Sequence, residues 1–425
     1  MSTNPFYYGG PVEPSRLLGR ERELRRVFDR LSMGQSVAVT GHPHTGKSSL
    51  LGSILDPGSR KSRRSRQFDS TLFCSLDAQL LGTAESPADF WRRALLPLEN
   101  QKSLNELYRQ AVDADFEVFV LRRLFTGMRL LEQRLVLVID EFEALFAQAS
   151  LNTSSFYGAL RSLASTTQGL SLVISSRYDV AHLNRLTQEL NPHGSPYFNT
   201  LTEVTLGALA DDTIDALALL LGENMIPTDT QFIKAVSGCQ PYIAQATGGI
   251  LWDLRTDGLT GEESYVMAGK HLGRQLNYHF ADCWRLWSNE TKQVLTSIAL
   301  AQIPSLLGDR RVHVKEILEN IADYSAELAD LDTCGVLKHR SNGDWVIKQE
   351  SFLWWLADEI RRSLRSSTDF QSWLHAQEID NLLTRKQRDR LEQTAKGTFA
   401  ALGKGTTTLI EAFAKGMGGI LTGSQ

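Results

Sequence analysis

The segment Gly41-His42-Pro43-His44-Thr45-Gly46-Lys47-Ser48 constrains this chain more than any other. It fits the pattern G-x-x-x-x-G-K-[ST], follows the apolar run Val37-Ala38-Val39-Thr40 and precedes a helix-compatible stretch from Ser49 to Leu55. Strand, glycine loop and helix in that order make a phosphate cradle. Backbone N–H groups and the helix start hold phosphate oxygens, Lys47 reaches the β and γ oxygens, and Ser48 ligates Mg²⁺. The nucleotide-binding set expected here is Gly41 to Ser49, with His42 and His44 as backbone placeholders rather than ligands or bases. ATP and Mg²⁺ are the cofactors this chemistry calls for.

A second element supplies the chemistry the loop lacks. Leu135-Val136-Leu137-Val138-Ile139 is a continuous apolar run that reads as a buried parallel strand, and it delivers Asp140 and Glu141 at its end. Ligand-binding groups of such sheets lie just beyond the carboxyl ends of the strands. Asp140 there suits Mg²⁺, and Glu141 suits a base that orients and deprotonates an attacking water. A third run, Leu170 to Ser175, ends in Ser176-Arg177, and the guanidinium fork of Arg177 matches phosphate oxygens. Ser70 to Leu76 is a further candidate strand. The segment Ser154 to Leu163 reads as the helix joining the Asp140 and Arg177 strands. The basic run Arg60 to Arg66 reads as a solvated loop, with a nucleic-acid or anionic-surface contact as its sharper alternative.

The 425 residues suffice for two to four domains. Four scattered cysteines with no C-x-x-C pair argue against a disulfide scaffold or zinc site and fit a reducing cytosol, so a cytoplasmic location is expected. No signal-peptide pattern opens the chain, and no apolar run is long enough to span a bilayer. A net charge of −4 provides no global attraction to nucleic acid or anionic membranes.

With Asn4-Pro5-Phe6 through Pro14 and then Leu18-Gly19-Arg20-Glu21-Arg22-Glu23-Leu24, the opening of the chain resembles AAA+-related ATPases of the STAND class. These are NTP-driven signalling switches prominent in bacterial regulation and defence. The resemblance implies that Leu18, Gly19 and Arg20 lie beside the nucleotide base and that Arg177 senses the γ-phosphate. It also implies that Pro241, in Gly238-Cys239-Gln240-Pro241, stands in a helical lid near the adenine. The family's Gly-x-Pro spacing is one residue shorter than that from Gly238 to Pro241.

The remainder reads as mostly helical. Asp211-Asp212-Thr213 suits a helix cap, Phe232, Ile233 and Val236 form one helical face, and Pro241 starts another helix. Between residues 287 and 350, helices are expected over Thr291–Leu300, Val314–Leu318 and Ala326–Leu331. A hairpin is expected around Ser341-Asn342-Gly343. Three helices and a wing spell a winged-helix domain. Across 281–365, 13 acidic and 11 basic residues give a net −2, poor equipment for a phosphate backbone; in STAND-like proteins this domain resembles an internal brake. Phe352, Trp354, Trp355 and Leu356 read as anchors on one helix. After a linker at Ser366-Ser367-Thr368 and a short helical element from Trp373 to Leu383, the last stretch, 397–423, is rich in glycine. It places Leu402, Leu409, Phe413, Met417 and Ile420 on one helical face.

The expected fold is therefore α/β: a P-loop NTPase parallel sheet over 1–205, a helical lid over 206–280, a winged helix over 281–365 and a helical, glycine-rich interaction tail over 366–425. Three readings of the tail stand: docking on its own protein, self-association or partner recruitment, and a membrane-seeking amphipathic segment. For the whole, the leading reading is a slow or regulated ATPase switch that couples nucleotide state to oligomerisation or partner recruitment in signalling or defence. The alternative is an AAA+ ATPase that loads or remodels nucleic-acid complexes through its winged helix. DNA is the less favoured partner on charge.

Overall fold

A computed structural model describes residues 3–64, 68–82, 84–306, 318, 321–365, 370–401 and 406–422. The chain divides into two compact units, Gly10–Leu206 and a second made of Met1–Gly9 with Gly207–Gln425.

The first unit is built on a five-stranded parallel sheet in the order β2-β3-β4-β1-β5. Its strands are β1 (Ser36–Thr40), β2 (Thr71–Asp77), β3 (Arg134–Asp140), β4 (Leu170–Ser176) and β5 (Leu201–Thr205). The three central strands are buried almost end to end because helices cover both faces, which is why they read as predominantly apolar runs. β5 escaped the sequence reading. It is an edge strand in which only Val204 is buried, so it carries no apolar run. Cores lie on both faces: Phe90, Trp91, Phe125, Phe142 and Tyr157 on one, and Phe28, Val37, Leu50, Ile54 and Val138 on the other.

Three helices near the loop matter for the site: α1 (Glu21–Ser32), α2 (Lys47–Leu55) and α3 (Pro57–Arg64). The last corrects the expected loop, since residues 57–64 are helical; Ser65 and Arg66 lie outside the described residues. Arg60 is committed within the protein. It donates to the Ile54 carbonyl at 3.1 Å and also to the Leu55 carbonyl, and its guanidinium stacks 4.2 Å from the Phe73 ring centroid. A cation satisfying the last carbonyls of α2 is a helix cap, not a spare nucleic-acid contact.

Among the described residues, the second unit is helical except for loops and an antiparallel hairpin, β6 (Leu337–His339) and β7 (Trp345–Ile347). Asp211 and Asp212 sit in the first turn of the helix Asp211–Ala218, whose cap is Ala210, so they act on the helix dipole rather than as side-chain caps. Pro241 is the first residue of the helix Pro241–Thr256, and Gly238 ends the preceding helix in the left-handed region. The helix Asn289–Leu306 grips the hairpin through Gln302, whose amide donates to the Ile347 carbonyl at 3.0 Å and accepts from the Ile347 N–H at 2.8 Å. A helix Ser325–Thr333 precedes the hairpin and Glu350–Arg365 follows it. The helix expected over 314–318 lies outside the described residues apart from Leu318, as does the linker at 366–368. Phe352, Trp354, Trp355 and Leu356 are buried, with Phe352 stacked 5.7 Å from Trp355 and edge-on to Trp287.

Both chain ends belong to this unit. Asn4 donates to the Gly249 carbonyl at 3.0 Å and to Asp253 at 2.9 Å, and the Phe6 ring occupies the place a Cβ of Gly248 would need. The helix Thr406–Thr422 buries Leu409, Ile410, Ala414 and Met417 in the unit's core. Gly269 admits Ile410, and Phe413 packs edge-on to Trp354 at 5.6 Å. Of the three tail readings, the structure shows docking on the chain's own unit. Leu402 and the side chain of Ile420, two members of the expected face, lie outside the described residues. Among the described residues no helix is long and apolar enough to cross a membrane.

Candidate nucleotide site

Parallel topology gathers the polar strand ends of the first unit on one rim. β4 lies between β1 and β3, so the Ser175-Ser176-Arg177 end separates the glycine loop from Asp140. Two strand spacings put the loop and the acids ~10 Å apart, room for a phosphate and a cation.

The loop backbone demands its glycines. Gly46 caps α2 at φ 92°, and Gly41 stands at φ 150°, where a Cβ would meet the Leu206 carbonyl oxygen at 2.5 Å. Gly41 N–H donates to the Ser176 carbonyl, pinning the loop start to β4. Thr45 is buried, and its hydroxyl donates to the His42 carbonyl at 2.9 Å. His44 takes a left-handed φ of 63° and points outward. Lys47 is 7% exposed and donates to the carbonyls of Gly41 at 2.9 Å and His42 at 3.1 Å. Burial pushes its pKa down, while Glu141, Glu143 and Asp140 pull it back up. A buried cation at a helix N-terminus, bonded among the described residues to carbonyls of its own loop, is a fit for phosphate oxygens. The Ser48 hydroxyl makes no side-chain hydrogen bond among the described residues. Ser49 is differently employed: it is buried and accepts from the Val12 N–H at 3.1 Å, fastening the N-terminal strap to α2.

Arg20 also touches the loop. It follows Gly19, which turns the chain at φ 70°, and only 3% of it is exposed. Its guanidinium donates to the Thr45 carbonyl at 3.0 Å and pairs with Glu23 at 3.3 Å. Burial lowers its pKa against the pull of Glu23. The residue therefore braces the phosphate loop from beneath. Pro241 lies in the second unit.

On the acid side, Asp140 accepts from the Ser175 hydroxyl and from the Glu141 N–H at 3.0 Å, both through Oδ1. Oδ2 makes no hydrogen bond among the described residues, which suits a metal ligand held in a fixed rotamer. The Glu141 N–H also donates to the Ser175 hydroxyl, at 3.1 Å. Glu141 is half-buried in a left-handed backbone conformation, φ 49°. Burial, then the neighbouring Glu143 charge, raises its pKa, the direction that favours a proton acceptor at neutral pH. Arg177 is paired rather than open: its backbone N–H and Nε both donate to Glu143 Oε1, at 3.1 and 2.6 Å. Burial works against the charge on Glu143, but the hydrogen bonds from Arg177 outweigh it and hold the carboxyl down. Arg177 is raised in turn.

Glu143 and Ser175 are the site residues that sequence reasoning missed. Ser175 closes the Leu170–Ser175 run, and Glu143 stands two residues beyond Glu141. The signal that could have found Glu143 is a third acid, three residues after Asp140, on a segment otherwise apolar.

A family model described as "Novel STAND NTPase 1" matches residues 11–319. The chain belongs to that family. Its nucleotide unit is thus that of a STAND-type P-loop NTPase. Among solved structures it is similar to the Walker-type ATPase of Pyrococcus abyssi, at 13% identity over 83% of this chain and 99% of that one, TM-score 0.50. The Aeropyrum pernix ORC2 protein matches at 12% identity over 93% of this chain and 97% of its own, TM-score 0.47. The Aeropyrum pernix ORC1 protein in complex with DNA matches at 16% identity over 79% and 92%, TM-score 0.40. At 13% identity the Pyrococcus likeness is one of fold. No curated protein sequence matches significantly.

Proposed function

We propose that this STAND NTPase binds MgATP on the Gly41–Ser49 loop and hydrolyses it slowly, and that its nucleotide state governs assembly of a protein or nucleic-acid complex. The observation that carries this reading is the convergence of Lys47, Asp140, Glu141 and Arg177 on one rim of the parallel sheet. Lys47 and the α2 N–H groups would hold the phosphates, Ser48 and Asp140 the Mg²⁺, Glu141 the water, and Arg177 the terminal phosphate. Gly19, Arg20 and Pro241 are assigned to the base side on family resemblance, with Arg20 acting through its brace on Thr45. The direct test is calorimetric titration of Lys47→Ala with MgATP. Binding should be lost, and unchanged affinity would remove the site.

Beyond the nucleotide domain, we assign 206–280 to a lid, 281–365 to a winged helix and 366–425 to the tail. The Gln302 clamp on the β6–β7 hairpin supports the winged-helix assignment. A nucleic-acid role is the second reading. Its support is this hairpin together with the acid-free, basic helix α3; against it stand the net −2 charge of 281–365 and the commitment of Arg60. Fluorescence anisotropy of the full chain on short duplex DNA, with and without ATP, decides between assembly partners. Salt-dependent submicromolar binding would select nucleic acid.

A further inference from the structure

Among the described residues, the one carboxylate bonded to Arg177 comes from a residue with no role in the scheme above. Glu143 is 8% exposed and lies in the 3₁₀ turn Phe142–Ala147, which starts immediately after the left-handed Glu141. That backbone reversal returns Glu143 to the end of β4. There a single oxygen, Oε1, receives both the backbone N–H and the Nε of Arg177. The grip is on the near side of the guanidinium. Nη1 and Nη2 make no hydrogen bond among the described residues, and the Arg177 side chain is 33% exposed against 5% for Glu143.

This arrangement differs from an ordinary ion pair. A bidentate carboxylate at the far end would occupy both Nη1 and Nη2. Here the fork is left over. Lys47 and Arg177 also repel each other across the rim, and Glu143 attracts both. Without that carboxylate, two cations would share a partly buried rim, and Arg177 would be free to turn to solvent on its flexible stem.

We propose that Glu143 is the positioning residue for Arg177, holding it by its backbone and Nε so that the Nη1/Nη2 end is presented to the terminal phosphate of a nucleoside triphosphate. The inference rests on the nucleotide-site reading above and deepens it. Because only a triphosphate supplies the group Arg177 would meet, Glu143 acts as the determinant of ATP-over-ADP discrimination. It contributes through the arginine and transfers no proton itself.

The test compares full-length wild type, Glu143→Ala, Glu143→Gln, Arg177→Ala and the double variant Glu143→Ala/Arg177→Ala. Single-turnover hydrolysis is followed, with MgATP and MgADP affinities measured by calorimetry. Glu143→Ala should lower the rate by ~10- to 100-fold, the scale of a misplaced catalytic group, with ATP affinity changed far less. The ATP-to-ADP affinity ratio should fall toward that of Arg177→Ala. The double variant should be no worse than Arg177→Ala alone, because both lesions remove one device. Glu143→Gln keeps an acceptor oxygen in place with little change of shape, so it should recover most of the loss and serves as the folded reference. Multiplying losses in the double variant, a wild-type affinity ratio in Glu143→Ala, or a Gln variant as poor as Ala would each overturn the proposal. Lys47→Ala separates the two levels: retained MgATP binding there rejects the site itself, whereas lost binding alongside an inert Glu143 rejects only the positioning role. If turnover is too slow to follow, the affinity ratio alone decides.

Discussion

Two arginine–carboxylate pairs, Arg255–Asp229 in the second unit and Arg177–Glu143 in the first, do opposite work. In the second unit Arg255 donates to Asp229 at 2.7 Å with side-chain exposures of 2% and 0%. Asp229 is saturated: it also accepts from the Tyr265 hydroxyl at 2.8 Å and the Ile226 N–H at 2.8 Å, and Tyr265 meets Thr228 at 2.7 Å. In the first unit Arg177 is gripped at one side and keeps its fork uncommitted. A sealed pair with a saturated carboxylate holds helices in one arrangement, even though the buried Arg255 Nε is unbonded among the described residues; a half-open pair at the rim of a parallel sheet has exposed donors left for a ligand. The distinction lies in the number of unsatisfied donors and their exposure, not in the bond lengths, which are nearly equal.

Breaking the sealed pair should have the largest effect. Asp229→Ala strands Arg255 as an uncompensated buried cation and should destabilise the second unit by ~3–5 kcal/mol. Seven of the eight tryptophans lie in that unit, so urea unfolding followed by tryptophan fluorescence reads it directly. A loss below ~1 kcal/mol would put the two pairs in one class.

Next comes chemistry at the open rim. Glu141→Gln should leave MgATP affinity near wild type and reduce single-turnover hydrolysis by ~100-fold, the contribution of a general base. An unchanged rate would remove Glu141 as the base and leave the rim a binding site only.

A smaller effect is expected where the tail meets the core. Leu409 is 2% exposed, and Leu409→Ala should cost ~2 kcal/mol by the same fluorescence measurement, with MgATP binding retained. A neutral substitution would mean that the tail helix spends its time off the unit.

The smallest is a pH slope. Glu350 opens the helix Glu350–Arg365; its Oε2 is sealed from water with no hydrogen-bond partner among the described residues, and burial raises its pKa to about 7, opposed by Arg340. The folded pKa lies above the ordinary value of 4.5, so the folded state binds the extra proton. The associated stability is fully present below pH 4.5 and is lost as pH rises through about 7. The slope should be on the order of 1 kcal/mol per pH unit in that window, and Glu350→Gln should flatten it. Together with Asp229→Ala, this tests whether charge buried in the second unit is tolerated only when paired.

What the sequence alone determined is what local pattern can carry. The phosphate loop, the strands β1, β3 and β4, the Asp140-Glu141 pair, the hairpin about Asn342-Gly343 and the helix start at Pro241 all declare themselves within a few neighbouring residues. Strand burial on two faces, left-handed turns and helix starts are short-range requirements. The tertiary structure decided every pairing across the sheet or between distant helices: Glu143 with Arg177, Ser175 with Asp140 and Arg20 with Thr45. It also decided that residues 3–9 and 406–422 pack in the second unit, against Gly248 and Gly269 respectively. Arg20, Arg60 and Arg177 are alike in the sequence. One braces a loop, one caps a helix and one faces a rim, because a guanidinium takes its role from the acceptors that folding brings within ~3 Å of it.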